Sequence, residues 1–335
     1  MIRRPPRSTL DRSSAASDVY KRQEDSESKR IWEALEQITY AEEMGYESVW
    51  FSEHHFRPVW SHNSAPDLTL AAVSQRTSKI RMGIGVVLTP IHHPLHAAAR
   101  MATLDILSKG RVDVGLGRTG YPYQLTPYGS GLEDTRGMWE EFAEVLPQAW
   151  TQEVTSYDGT YFKIPPREVL PKPVQKPHPP LWSACGSEET VRLAGEMGLG
   201  ALFGSEGGPE KIGTLMQTYR ETIKTAKSPS GMVNNQAAVM TAGFCHEDPK
   251  VVSTRGLELI EWYMEQQRER ARLVWKGVDP TTVPADYKGY YERDMRLAAG
   301  PHEGEPTPEQ VLNKGGSFFC LLYTSAAADE RSRVD

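Results

Sequence analysis

Two hydrophobic periodicities alternate along the chain. In the first segment the apolar residues share one face of a helix, and they are Ile31, Ala34, Leu35, Ile38 and Ala41. Gly45 stands where this helix would end, because glycine readily adopts the left-handed backbone of a helix C-cap. The apolar run Ser48 to Ser52 follows at once and is predicted to be a buried strand.

The helix and strand patterns then repeat. Further helices are predicted over 66–78, 94–110, 134–150, 187–198 and 208–226. Further strands are predicted over 80–90, 111–117, 181–186, 200–204 and 236–246. The stretch 165–180 is predicted to form neither element, because it is rich in proline, which lacks the backbone donor that both elements use. Strands that alternate with helices in this way indicate βα units around a parallel sheet.

Two α/β architectures have this order of elements: an open doubly wound sheet and an eight-stranded (β/α)8 barrel of the TIM type. No GxGxxG fingerprint opens a helix after the first predicted strand, so the dinucleotide-binding open sheet is disfavoured and the barrel is favoured. Six strands are predicted where a barrel has eight. We therefore expect an incomplete barrel, with strand 1 and strand 8 missing or replaced and the strand at 236–246 without a neighbour on one side.

Both ends of the chain differ from the part between them. Residues 1–23 are basic and Ser-rich without apolar periodicity, and they resemble a translated cloning or sequencing adapter. The run CLLYTS at 320–325 resembles the adapter of the opposite end. The alternative interpretations are a transit peptide and a disordered tail. We expect one domain over 24–317, an adapter-derived or disordered segment before it, and a tail of the same kind over 318–335, with loose packing over 1–23 and 320–335.

Charge and cysteine content exclude several classes of protein. Of the formal charge of −6, residues 1–23 carry +4 and residues 318–335 carry −1, which leaves −9 for the domain and argues against a nucleic-acid partner. No run of eighteen apolar residues occurs, so no membrane span is predicted. Cys185, Cys245 and Cys320 form no CxxC pair, which argues against a disulfide scaffold and favours a reducing compartment such as the cytoplasm.

The first predicted strand ends in an acid and two imidazoles, Glu53, His54 and His55, followed by Phe56. In a parallel barrel, polar residues at the carboxyl ends of strands lie on the functional face. Because side chains alternate across a strand, His54 and His55 point in opposite directions, and we expect only one of them to face the site.

Three stretches together resemble the flavin-dependent luciferase-like monooxygenase family, the relatives of the bacterial luciferase alpha subunit. They are GYESVWFSEHHF, RMGIGVVLTPIHHPLHAAARMATLDILSKGRVDVGLGR and PKPVQKPHPPLWSACGSEETVRLAGEMG. The resemblance, which runs from about Ile31 to His246, implies a (β/α)8 barrel and a flavoprotein oxidoreductase. It also implies reduced FMN (FMNH2) delivered by a separate flavin reductase, and oxygenation through a flavin C4a-peroxide formed with O2.

The acid and the first histidine of this run are the candidate catalytic residues. His54 matches the histidine that acts in acid–base chemistry beside the flavin, a role that suits an imidazole because its pKa lies near neutral pH. Glu53 ranks second, because it could orient an imidazole. A histidine that only lines the mouth, and a Glu53 that pairs with a backbone donor or an arginine, are the alternatives.

The resemblance also implies a set of cofactor-binding residues. Those matched to the flavin phosphate are Arg118, Arg136, Ser187 and Thr190, with Gly186 replacing a glutamate that contacts the ligand through its main chain. Gly85 and Val86 match a non-prolyl cis peptide under the isoalloxazine ring, although Gly85 could simply give the flavin room. Ser187 could instead be a plain N-cap, with Glu188 and Glu189 in the first turn repelling a phosphate unless the arginines compensate.

Three further features have open interpretations. The histidine cluster comprises His92, His93 and His96. Zinc needs three or four ligands in a fixed geometry, and no convincing second group of ligands accompanies this run, so no metal site is expected. Residues 249–300 are interpreted either as a lid over the flavin or as a solvated helix that helps to hold the barrel closed. The loop residues placed at the substrate mouth are Trp60, His62, Tyr121 and Tyr123.

A homodimer or a close heterodimer is expected by the same resemblance, through the helices after the strands at 48–52 and 80–90. The small residues of these helices are Ala71, Ala72, Ala97, Ala98, Ala99 and Ala102. The leading functional hypothesis is an FMNH2- and O2-dependent monooxygenase of a small organic substrate. The alternatives are an F420-dependent oxidoreductase of the same fold and a non-catalytic flavin-binding relative. Gly117 stands where bacterial luciferase has a reactive cysteine, so light emission is not expected.

Overall fold

The computed structural model describes residues 26–56, 61–119, 121–204, 208–240, 243–301, 307–313 and 318–321. Its helices are α1 (Ser26–Glu43), α2 (Pro66–Ser74), α3 (Pro94–Ser108), α4 (Pro122–Leu125), α5 (Thr135–Thr151), α6 (Glu188–Glu196), α7 (Gly208–Thr222), α8 (Pro249–Val274), α9 (Lys288–Ala299) and α10 (Pro308–Asn313). Its strands are β1 (Ser48–Phe51), β2 (Arg81–Leu88), β3 (Val112–Gly117), β4 (Thr155–Asp158), β5 (Lys163–Arg167), β6 (Leu181–Cys185), β7 (Gly200–Gly204), β8 (Ala237–Met240), β9 (Gly243–His246) and β10 (Phe318–Leu321).

Six parallel strands form one curled sheet, half of a barrel, in the order β1-β2-β3-β6-β7-β8. These strands lie where the sequence predicted them, which confirms the α/β class and the βα order. Helices α2, α3, α5, α6 and α7 contribute buried apolar residues to the same core as the strands. The predicted barrel-type arrangement therefore places the carboxyl ends of the strands on one side of the molecule.

Close packing between β1 and β2 depends on a glycine. Trp50 and Gly83 are paired in register, and a Cβ atom added at Gly83 would lie 2.2 Å from the Trp50 ring. The indole also packs edge to face on Trp182 of β6, with ring centroids 5.3 Å apart. The aromatic side chain thus fills the space that the missing Cβ leaves at the centre of the sheet.

The carboxyl-terminal part of the sheet departs from the prediction. The single strand expected over 236–246 is two strands, β8 and β9, and residues 241–242 between them lie outside the described part of the chain. Within the described residues, β8 pairs with β7 alone, whereas β9 pairs in parallel with β10. Among the described residues β8 and β9 have one neighbour each, as expected for a strand without a neighbour on one side, whereas the expectation of loose packing from residue 320 onward is wrong for the backbone of Cys320 and Leu321.

Other expectations about the ends fall outside what the structure describes. Residues 1–25 and 322–335 are not among the described residues, so the adapter interpretation stays a prediction. The prediction for 165–180 is wrong at its start, because β4 and β5 form an antiparallel hairpin that includes Pro165 and Pro166. The two prolines lie where the register between the strands shifts. Regular backbone pairing is interrupted at such an irregularity, so the missing N–H group of proline is tolerated there.

Residues 249–300 form a second layer beside the carboxyl ends of the strands. Helix α8 packs on α9, and the short 3-10 turn Ala285–Tyr287 precedes α9. A small apolar cluster joins this layer to the segment after β3, and its buried members are Leu125, Leu132, Val274, Trp275, Val283 and Tyr287. This layer therefore packs on the segment after β3. The lid and the solvated helix that helps to hold the barrel closed both stay predictions.

Two further observations concern partners and membranes. Ala97, Ala98 and Ala102 of α3 are buried in the core of their own chain, so these small residues serve intrachain packing. The homodimer stays a prediction. None of the helices in the described residues combines the length and the apolar character needed to cross a bilayer.

Candidate active site

A cavity of about 300 Å³ lies at the carboxyl ends of the central strands, under the layer formed by 249–300. Strands β2, β3, β6 and β7 contribute its floor, and the segments after β1 and β3 contribute polar groups. The predicted site residues that line it are Glu53, His54, Gly85, Val86, Arg118, Arg136, Gly186 and Thr190. The structure therefore brings residues that are far apart in the sequence to one cavity.

The floor of the cavity contains the Gly85–Val86 peptide, which is cis, as the sequence predicted. Gly117 lies beside it, and a Cβ atom built at Gly117 would approach Cγ2 of Val86 to 2.2 Å. The adjacent thiol of Cys185 is buried, and burial raises its pKa to about 12, so the thiol stays protonated near neutral pH. A nucleophilic cysteine is therefore not a feature of this floor.

His54 and His55 point to opposite sides, as predicted. His54 lines the cavity, and its ring lies 6.3 Å from that of Tyr121. His55 instead directs Nε2 to Glu53 Oε1 at 2.8 Å, and its Nδ1 lies 3.0 Å from the hydroxyl of Tyr128. Of the two histidines, His54 is the one with access to a molecule bound in the cavity.

Glu53 accepts three hydrogen bonds, and two of them join the end of β1 to the end of β2 and the segment after it. Its Oε1 atom accepts from Nε2 of His55 and from Nε2 of His92, the latter at 2.7 Å, and its Oε2 atom accepts from the Leu88 amide at 3.0 Å. Burial alone would raise the pKa of this carboxyl, but the histidine hydrogen bonds, the charge of His92 and the Leu88 amide lower the pKa to about 2. Because the carboxylate is ionised and only accepts, both Nε2 atoms carry the proton.

Two histidines of the cluster after β2 make different contacts. His92 binds Glu53, whereas the ring of His93 accepts a hydrogen bond from the Leu95 amide at the start of α3. Burial and the neighbouring His96 lower the pKa of His93. Sequence reasoning missed His92 as a partner of Glu53, because a contact between residues 53 and 92 leaves no local pattern.

Arg118 and Arg136 meet at the other end of the cavity, around one carboxylate. Nη1 of Arg118 donates to Asp286 Oδ2 at 2.6 Å, and Nε of Arg136 lies 3.6 Å from the same oxygen. Arg136 also pairs with Glu189 at 2.9 Å. The guanidinium of Arg118 stacks over the ring of Tyr287, 5.1 Å from its centroid.

The amino terminus of α6 lies next to these arginines. The Ser187 hydroxyl caps the helix by accepting from the Thr190 amide at 3.3 Å, and the two hydroxyl oxygens are 2.8 Å apart. The N-cap alternative is thus what the structure shows for Ser187, and Glu189 in the first turn binds Arg136. Gly186 allows close approach, since a Cβ atom there would lie 2.4 Å from the Tyr290 hydroxyl.

A buried ion pair from 249–300 forms the roof of the cavity. Nη2 of Arg270 donates to Asp294 Oδ1 at 3.0 Å, and Trp275 Nε1 donates to Asp294 Oδ2 at 3.1 Å. Arg270 also donates to the Tyr121 hydroxyl at 2.8 Å. Sequence reasoning missed Arg270 and Asp294, although Arg270 shares a helical face with the buried Val274, four residues on.

Of the residues predicted at the substrate mouth, Tyr121 is the one that lines the cavity in the described part of the chain. Tyr121 lines the cavity and stacks on Tyr123, with centroids 6.1 Å apart. His62 lies 3.5 Å from Glu27 of α1. Trp60 lies outside the described residues.

Comparison with known proteins gives both a family and structural relatives. The sequence model of the luciferase-like monooxygenases matches residues 13–304, a match that begins inside the 1–23 segment. The oxygenase component of the flavin-dependent trigonelline monooxygenase of Acinetobacter baylyi is 28% identical over 171 residues, which are 50% of this chain and 46% of that protein. The chain thus spans about half of the length of several curated relatives.

Two solved structures have closely similar folds. The oxygenating constituent of 3,6-diketocamphane monooxygenase of Pseudomonas putida, in complex with FMN, has a TM-score of 0.66 at 19% identity, with 88% of this chain and 79% of that chain covered. An F420-dependent secondary alcohol dehydrogenase with an F420-acetone adduct has a TM-score of 0.65 at 21% identity, with 91% and 86% covered.

Proposed function

Because the chain belongs to the luciferase-like monooxygenase family, we propose that it is an FMNH2- and O2-dependent monooxygenase of a small organic substrate. The observation that carries the proposal is the polarity of the cavity. An arginine pair lies beside a capped helix terminus, and His54 lines the same cavity. A cofactor with a phosphate tail and a reactive ring matches this arrangement.

The residues at the arginine end suit a phosphate monoester. Arg118 and Arg136 offer charged N–H donors to the cavity, and Thr190 offers a hydroxyl group next to the Ser187 cap of the α6 terminus. Gly186 leaves the main chain accessible there. We assign this group of residues to the flavin phosphate, and the floor at Gly85 and Val86 to the flavin ring.

His54 is assigned the proton-transfer role. Reduced flavin supplies the electrons that activate O2, and His54 would donate or accept a proton at a group bound above the cavity floor. Glu53 directs its oxygens to His55, His92 and the Leu88 amide. It is therefore assigned a positioning role, holding the end of β1 so that His54 faces inward.

The proposal of FMNH2 as the cofactor and of a separate flavin reductase as the partner rests on the relatives. The related trigonelline enzyme is named as an oxygenase component, which supports a separate reductase as the source of FMNH2. An F420-dependent oxidoreductase is the second candidate, because the F420-dependent alcohol dehydrogenase matches the fold as well as the FMN-bound monooxygenase does. The third hypothesis is a non-catalytic flavin-binding relative.

One set of titrations separates the three candidates. The purified protein is titrated with FMN, FMNH2 and reduced and oxidised F420, and is then mixed with a pool of small organic molecules and O2. Monooxygenation predicts FMNH2 binding and a product with one added oxygen atom by mass spectrometry. Substrate turnover with F420 without O2 would replace the proposal with the second candidate, and flavin binding without substrate consumption would replace it with the third.

A further inference from the structure

The two arginines assigned to the phosphate are already bound to a carboxylate from the roof. Asp286 Oδ2 lies 2.6 Å from Arg118 Nη1 and 3.6 Å from Arg136 Nε. The Asp286 side chain is 23% exposed, and it belongs to the 3-10 turn Ala285–Tyr287. One oxygen of Asp286 is thus shared between the two cations, which is where an oxygen of a bound phosphate would also be most stable.

The turn that carries Asp286 is held on the cavity by the next residue. The Tyr287 hydroxyl donates to the Thr119 carbonyl at 2.9 Å and lies 3.0 Å from the Thr135 hydroxyl. Tyr287 is buried in the apolar cluster and stacks under Arg118. Packing of Tyr287 therefore keeps the Asp286 carboxylate beside the arginines as long as the turn stays in place.

We propose that Asp286 is an internal anion of the arginine site, and that a phosphate monoester must displace its carboxylate to bind Arg118 and Arg136. The inference rests on the proposed function, because it assigns the same arginines to the cofactor phosphate. Displacement requires the Ala285–Tyr287 turn to move, so phosphate binding is coupled to the position of the roof.

Charge balance explains why the Asp286 carboxylate and a phosphate dianion do not occupy the arginine site together. The two guanidinium groups carry two positive charges, and Asp286 and Glu189 already balance them. A phosphate dianion added beside both carboxylates would face uncompensated repulsion in a partly buried cavity, where charges interact more strongly than in water. Release of Asp286 to solvent removes one of the two carboxylates and frees the Arg118 donor.

A phosphate monoester can bind only those molecules in which Asp286 is away from the arginines. The apparent affinity of the site for phosphate is therefore the intrinsic affinity multiplied by the fraction of such molecules. If that fraction is about one in ten, removal of the carboxylate charge strengthens phosphate binding by about tenfold. Riboflavin has the same ring system without the phosphate, so its affinity does not depend on Asp286.

The test compares Asp286→Asn with the wild-type chain and with Glu292→Gln. Glu292 is exposed on α9, so its substitution makes the same change in net charge within the same roof. The dissociation constants of FMN and of riboflavin are measured by calorimetry, and inorganic phosphate is tested separately by the shift in Tm. Hydrogen exchange at 285–299 with and without phosphate reports the movement of the turn.

The expected result is FMN binding about tenfold tighter in Asp286→Asn, with no change in Glu292→Gln, no change for riboflavin, and faster exchange at 285–299 when phosphate binds the wild-type chain. Equal or weaker FMN binding in Asp286→Asn overturns the inference and leaves the proposed function standing. An equal gain for riboflavin also overturns it.

If FMN binds to none of the chains but phosphate still stabilises Asp286→Asn more than the wild type, the competition stands and the proposed function falls. If neither ligand binds, both fall.

Discussion

The Glu53 carboxylate is 2.7 Å from Nε2 of His92, a histidine that lies beyond the next strand of the sheet. This contact, together with the 2.8 Å hydrogen bond from His55, links the end of β1 to the segment after β2. His54, between the two anchored residues, faces the cavity. The acid beside the candidate catalytic histidine thus fixes the backbone on which that histidine stands.

Glu53→Gln is expected to lower the free energy of unfolding at pH 7 by about 3 kcal/mol, because the substitution leaves two partly buried imidazole donors without their anionic acceptor. The pKa of Glu53 is about 2 in the folded chain and 4.5 in the reference state. A lowered pKa stabilises the fold above the reference value, and this stability is lost as the pH falls through about 2. Chemical denaturation across pH checks the prediction, and a stability difference between the two chains that does not shrink below pH 4.5 would contradict it.

His54→Ala is expected to leave FMN affinity nearly unchanged and to reduce turnover by roughly 10²–10⁴, the range for a lost general acid–base group. His55→Ala is the matched variant from the opposite face of the strand, and it is expected to act on stability through the lost contact with Glu53. Turnover and thermal unfolding are measured for both. Exchanged phenotypes would show that the catalytic assignment belongs to His55.

Arg118→Gln and Arg136→Gln are each expected to weaken FMN binding by about 10- to 100-fold, the effect of losing a hydrogen bond from a charged donor. Riboflavin binding is expected to stay the same, because the flavin ring is assigned to the floor at Gly85 and Val86 and not to these side chains. Arg192→Gln is the control, since Arg192 is an exposed arginine that pairs with Glu188 on α6. A parallel loss of riboflavin affinity would place the arginines at the ring instead.

Gly117→Cys is expected to destabilise the chain by about 1–3 kcal/mol through overpacking, because its Cβ atom would collide with Val86. Gly204→Cys is the control at the end of β7, where an added Cβ meets no atom within 4 Å. Thermal unfolding of both variants gives the comparison. Equal stability of the two would mean that β2 and β3 can separate at no cost.

The sequence predicts features whose causes are local. Alternating periodicities located the six strands of the main sheet, and the alternation of side chains along β1 separated His54 from His55. The resemblance supplied the cis peptide at Gly85–Val86. Each of these depends on a short run of residues, which a single sequence contains in full.

What the sequence did not predict depends on contacts between distant segments. The bond between Glu53 and His92 spans 39 positions, and that between Arg118 and Asp286 spans 168. Arg270 lies in a run of charged residues that resembles a solvated helix face, and only the packing of α8 against the cavity buries it. Local periodicity contains no information on which charged residue of such a run meets a partner.

The most direct measurement is a crystal structure of the chain soaked with FMN. We expect the phosphate within hydrogen-bonding distance of Arg118, Arg136 and Ser187, the flavin ring over Gly85 and Val86, and the Asp286 carboxylate withdrawn from both arginines. A flavin bound outside this cavity, or one whose phosphate lies on Arg270 at the roof, would contradict the assignment of the site.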